Sequence, residues 1–174
     1  MRKTSWFGMV LFTGMLLYAG NASADPECKT AYGTTVCGYH CTAQYGQVQC
    51  AKTPQGACMA AYGQIECWDP SERTRRPAEC IAEYGQIACG YDCKANYGKV
   101  QCAQTPSGAC GSGYGQLICW DPKVRTHTRA MCIASYGKVV CGFHCASGYG
   151  QIQCASTPNS FCRAENGSVT CYQM

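Results

Sequence analysis

The chain has 174 residues, among them 18 Cys, 20 Gly and 12 Tyr, with 14 Lys and Arg against 10 Asp and Glu. So weak a positive balance excludes nucleic acid as the expected partner. A large, even cysteine count points instead to a covalent framework built in an oxidising compartment.

Residues 1–24 read MRKTSWFGMVLFTGMLLYAGNASA. Arg2 and Lys3 precede an apolar run from about Trp6 to Ala19, and Ala22-Ser23-Ala24 supplies the small-x-small pattern of a cleavage site. The expectation is a cleaved secretory signal peptide, with no membrane span in the mature chain of residues 25–174. That mature chain keeps twelve basic and ten acidic residues and all eighteen cysteines, and Leu117 is its single leucine. A leucine-based core is therefore excluded, and covalent links must hold what apolar burial cannot.

From Cys28 onward the chain repeats with a step of 52 residues: Cys28, Cys80 and Cys132 share one position, and Cys37, Cys89 and Cys141 another. The expected copies are residues 25–79, 80–131 and 132–174, forming one continuous stacked domain. Each copy holds three modules of the form C-x3-Y-G-x3-C. The first copy reads CKTAYGTTVC, CTAQYGQVQC and CMAAYGQIEC; the second reads CIAEYGQIAC, CKANYGKVQC and CGSGYGQLIC. The third reads CIASYGKVVC, CASGYGQIQC and CRAENGSVTC. Between modules lie a tight joint (CGYHC, CGYDC, CGFHC), a joint containing Thr-Pro, and a long connection opening with Trp-Asp-Pro.

Folded about its central pair, each module alternates. Module positions one, three, eight and ten carry Cys, a small residue, a branched residue and Cys, while the other face is largely polar. Such alternation predicts a hairpin of two short strands. In the last module Asn166-Gly167 replaces Tyr-Gly, and Asn-Gly is a strong two-residue turn signal. Because Tyr accepts positive φ poorly, the Tyr-Gly turns are expected to bend left-handed at Gly alone. The fold class is thus all-β, small and disulfide-rich, a tandem array of nine hairpins with about eighteen short strands and stacked cysteine faces.

A two-residue loop sets the first and last cysteines of a module opposite each other at a non-hydrogen-bonded pair, within disulfide reach. The expected bridges are Cys28–Cys37, Cys41–Cys50, Cys58–Cys67, Cys80–Cys89, Cys93–Cys102, Cys110–Cys119, Cys132–Cys141, Cys145–Cys154 and Cys162–Cys171. A ladder joining neighbouring hairpins is the rival pattern.

No catalytic motif stands out, and the closest cysteine pairs are C-x3-C rather than the C-x2-C of zinc or thioredoxin-like sites. No cofactor, metal site or catalysis is expected. His40 and His144 share a repeat position with Asp92, which favours a polar turn residue over a ligand. The Trp68-Asp69-Pro70 and Trp120-Asp121-Pro122 segments are expected to anchor each long connection against the preceding hairpin. Arg73, Arg75, Arg76, Lys123, Arg125, His127 and Arg129 lie in those connections, as solvated residues or as contacts for acidic sugars or lipopolysaccharide.

Tyrosine exceeds what a corner requires, because Asn166 makes the turn without it. Tyr32, Tyr45, Tyr62, Tyr84, Tyr97, Tyr114, Tyr136 and Tyr149 are the candidate partner-binding residues, as a row of rigid rings. The competing expectation is that each ring covers its own hairpin. The functional reading is a secreted or periplasmic structural or binding protein whose partner is a polysaccharide or a cell-envelope or extracellular protein. A secreted inhibitor or toxin-like scaffold, or a metal- or thiol-handling protein, are the alternatives.

Overall fold

A computed structural model describes residues 25–174; the signal peptide expected over 1–24 lies outside these residues. The described chain is all β. The first copy forms β1 (Glu27–Ala31), β2 (Thr34–Gln44), β3 (Gln47–Ala51), β4 (Ala57–Ala61) and β5 (Gln64–Trp68). The second forms β6 (Glu79–Glu83), β7 (Gln86–Asn96), β8 (Lys99–Ala103), β9 (Ala109–Gly113) and β10 (Gln116–Trp120). The third forms β11 (Met131–Ser135), β12 (Lys138–Gly148), β13 (Gln151–Ala155), β14 (Ser160–Glu165) and β15 (Ser168–Gln173).

Nine two-residue hairpins result, but from fifteen strands rather than eighteen. The reason is the tight joint. In β2, β7 and β12 the chain runs on through CGYHC, CGYDC or CGFHC, so one eleven-residue strand serves two hairpins. Its first half pairs with β1, β6 or β11, and its second half with β3, β8 or β13. A bulge follows the change of partner: Tyr39 pairs with Ala51 and Thr42 with Gln49, leaving His40 and Cys41 opposite Cys50 alone. His40 (φ 48°), Asp92 (φ 45°) and His144 (φ 42°) each occupy the left-handed bulge position. His and Asp are among the few non-glycine residues enriched there, which accounts for their shared repeat position.

Every cysteine pair faces its partner across the ribbon, as in Cys41↔Cys50 flanked by Thr42↔Gln49, and all nine intramodule disulfides are formed. The Cα atoms are 4.0–4.1 Å apart, the close approach of a non-hydrogen-bonded pair. The ladder joining neighbouring hairpins is not formed. With every cysteine oxidised, the fold belongs to an oxidising environment of extracellular type.

The hairpins stack in chain order, each strand beside its counterpart in the next hairpin. Contrary to the expected pairing of cysteine faces, the stack runs head to tail. Val139 and Ala134, on the cysteine face of the seventh hairpin, lie where a side chain at Gly113 on the polar face of the sixth would project. Gln116 Oε1 then accepts the outward-pointing N–H of Val139 at 3.2 Å, and Gln151 Oε1 that of Val169 at 3.3 Å. A polar face is tolerated inside the stack because its amides satisfy the next ribbon's free backbone donors. The first hairpin has no predecessor among the described residues. On its open face Thr30 and Thr35 replace the small–branched pair, and their hydroxyls bond to each other at 2.8 Å.

Apolar burial concentrates where copies meet. Trp68 sets its edge on Tyr91 at 5.4 Å, and Trp120 does the same on Phe143 at 5.3 Å. Around these pairs pack Ala103 and Cys110 at the first junction, and Ala109, Ala130 and Ala155 at the second. The tryptophans thus hold the following copy rather than the preceding hairpin, and the backward contact falls to the next residue. Asp69 Oδ1 accepts the Thr53 N–H at 2.8 Å and the Thr53 hydroxyl at 2.8 Å, and the carboxylate also receives the Lys52 N–H. Asp121 repeats this with Gln104 and Thr105. In the third copy no such carboxylate follows, and Thr157 bonds instead to the Ser160 hydroxyl at 2.7 Å.

Candidate functional site at two opposite edges of the stack

Because all hairpins point the same way, the stack has two unlike edges. One carries the nine turns; the other carries the open hairpin ends and the connections. A five-residue strand separates them by about 17 Å.

At the turn edge both central residues have positive φ. The tyrosines lie at 42–52° and the glycines that follow at 78–85°. These are type I′ turns, so the expectation that Gly alone would bend left-handed is corrected. A two-residue hairpin needs the I′ twist, and the disulfide pins that loop length. The left-handed tyrosine, worth about 1–2 kcal/mol of strain, is thereby imposed. The rings do not fold onto their own hairpins. In six of the eight cases the ring or its Cβ lies beside the glycine of the next turn, as Tyr32 does at Gly46 and Tyr149 at Gly167. Gly85 and Gly115 have no such neighbour. The contact leaves Tyr32, Tyr45, Tyr62, Tyr84, Tyr97, Tyr114, Tyr136 and Tyr149 between 64% and 93% exposed. All eight tyrosines therefore line one edge and face mostly into solvent, six of them resting beside the neighbouring turn. Asn166 stands at the last turn, after which no further turn glycine follows Gly167 among the described residues.

The opposite edge is charged. His40 and His144 each bring Nε2 within 3.2 Å of a carbonyl in their own copy, Pro54 O and Pro158 O. Asp92 instead accepts the Cys110 N–H at 2.9 Å. The bulge side chains therefore close the Thr-Pro joints. Arg76 turns inward: its guanidinium donates to Pro106 O at 2.7 Å and lies over the Tyr91 ring at 5.3 Å. Burial, together with the nearby Arg129 charge, holds this guanidinium below its usual pKa range. Burial also pushes the Tyr91 phenol up. The remaining basic residues face outward, and the two long connections lie side by side around a cleft of about 620 Å³. Sequence reading found these cations but not their meeting. The signal was the 52-residue step, which gives Arg73 and Arg125 one repeat position.

Comparison with known proteins gave no matching family model, no matching curated protein and no matching solved structure.

Proposed function

We propose that this is an exported, non-catalytic repeat scaffold, secreted or periplasmic, that holds a polysaccharide of the cell surface or matrix along its tyrosine edge. The observation that carries the reading is the row of eight turn tyrosines, each at least 64% exposed. Rigid rings on a disulfide-fixed frame lose little entropy on contact and offer flat apolar faces with a hydroxyl at the rim, which suits a sugar ring. The turn itself does not require tyrosine, since Asn166 makes the same turn at φ 47°.

Affinity electrophoresis of the mature chain through gels containing neutral polysaccharides tests this. Retardation by at least one neutral glycan is expected, and it should fall at least tenfold when Tyr84, Tyr97, Tyr114 and Tyr136 are all changed to Ala. Unchanged retardation in a variant that still lacks free thiols would remove the tyrosine edge from the reading. Absence of retardation across a broad panel would remove the polysaccharide.

A further inference from the structure

The two long connections come together at the edge opposite the tyrosines. Their cleft is lined by Arg73 and Arg75 from one connection and Lys123, Arg125 and Arg129 from the other, all exposed, with Glu72 as its one carboxylate. The other carboxylates of the two connections, Asp69 and Asp121, are occupied by backbone N–H groups of the Thr-Pro joints. Among the described residues a single ion pair forms here, Arg125 to Glu72 at 3.7 Å, and both side chains remain about half or more exposed. At least four cations therefore converge without a partner. Their positions follow the repeat, because Arg125 Nη2 donates to Arg73 O at 3.2 Å across one 52-residue step.

The lining also limits the class of ligand. Its one ring is the small His127 imidazole, and no Phe, Tyr or Trp offers a broad face on which nucleic-acid bases could stack. Its apolar contribution is limited to Val124 and prolines, which leaves no buried anchor of the kind protein partners need. The hydroxyls of Thr74 and Thr126, whose oxygens accept backbone N–H groups, sit beside guanidinium forks suited to carboxylate or sulfate. We propose that this cleft is a second binding site, specific for an anionic polysaccharide bearing carboxylate or sulfate groups. It is independent of the tyrosine edge, so either surface can fail without the other.

The test uses the mature chain with heparin and polygalacturonate as probes and dextran as the neutral control, by titration calorimetry at 0.05–0.3 M salt, a range on the order of that over which ionic contacts are screened. The wild type should bind at least one anionic probe with strong salt dependence. The triple variant R73Q/K123Q/R125Q should bind at least tenfold more weakly with a shallower salt slope. A variant losing cations elsewhere, K99Q/K138Q, should bind within twofold of the wild type. Both variants change exposed side chains, and unaltered circular dichroism with no free thiol confirms their folds. The proposal is overturned if the wild type binds neither anionic probe, or if the triple variant binds as the wild type does. Equal losses in both variants would also overturn it, by showing a response to net charge alone. Because dextran binding and the tyrosine variants read the other edge, the two results stay separable.

Discussion

Arg125 donates a hydrogen bond from its guanidinium to the carbonyl oxygen of Arg73, 3.2 Å away, and the two residues occupy the same position of adjacent copies. This contact records how the molecule is built. The step that stacks one hairpin triplet on the next also lays one connection against the next, so a residue type repeated in sequence becomes a cluster in space.

The carboxylate after each junction tryptophan is expected to matter more than the surface arginines. Asp69→Ala leaves two N–H donors and the Thr53 hydroxyl without their charged acceptor, a loss of about 2 kcal/mol. Asp121→Ala should match it, because the geometry is the same. Arg125→Gln, with its exposed ion pair, should cost under about 0.5 kcal/mol. Denaturant midpoints of the three variants, at unchanged slope, check the ranking. A Gly56→Ser change should also be better tolerated beside Asp69→Ala than alone, since its side chain would project toward Asp69.

At the turn edge, Tyr45→Asn and Gly46→Ala should behave oppositely. Asn relieves strain at φ 46° while giving up the ring beside Gly63, so its stability should stay within about 1 kcal/mol of the wild type. Ala at position 46 meets both φ 83° and the Tyr32 ring, and should cost more than about 1 kcal/mol. Thermal melts under non-reducing conditions separate the two, and an equally large loss in both would contradict the proposed strain at tyrosine.

Tyr91→Phe should leave stability unchanged or raise it at pH 8. The hydroxyl is buried beside Thr74 without an aligned hydrogen-bond partner, and Phe143 fills the equivalent place with the same edge contact to a tryptophan. Burial raises the phenol above its ordinary pKa of 10.0, so the folded state favours the neutral form. Its contribution is whole below about pH 10 and is lost as pH rises through the raised value. Guanidinium midpoints at pH 8 and pH 11 should therefore fall further in the wild type than in Tyr91→Phe.

Reduction should proceed from the end of the stack inward. Cys28 and Cys37 in the first hairpin are exposed, whereas Cys93 and Cys102 are 8% and 7% exposed. Thiolate attack needs access, so the first bond should open earliest under limiting reductant and the Cys93–Cys102 bond much later. Differential alkylation with peptide mapping reads the order. Closing each ten-residue loop contributes roughly 2.7 kcal/mol by chain entropy, so loss of one bond should loosen one hairpin without unfolding its neighbours.

The amino-acid sequence by itself determined the hairpins, their number, the intramodule disulfides and the place of the tyrosines. All of these follow from short-range geometry: a two-residue turn, a period of two and cysteines at matched distances from the turn. It misjudged what depends on longer range. The tight joints fuse strands because a left-handed His40 or Asp92 can bulge without ending the ladder. The faces stack head to tail because Gln116 and Gln151 satisfy donors on the next ribbon. Tyrosine takes positive φ because the disulfide and the twist leave its turn no other form. Tertiary structure alone decided that six of the eight tyrosines meet the following turn and that the two arginine-bearing connections share one cleft. Those relations join residues 14 to 52 positions apart, and only the rise and orientation of the stack, set by packing between hairpins, bring them into contact.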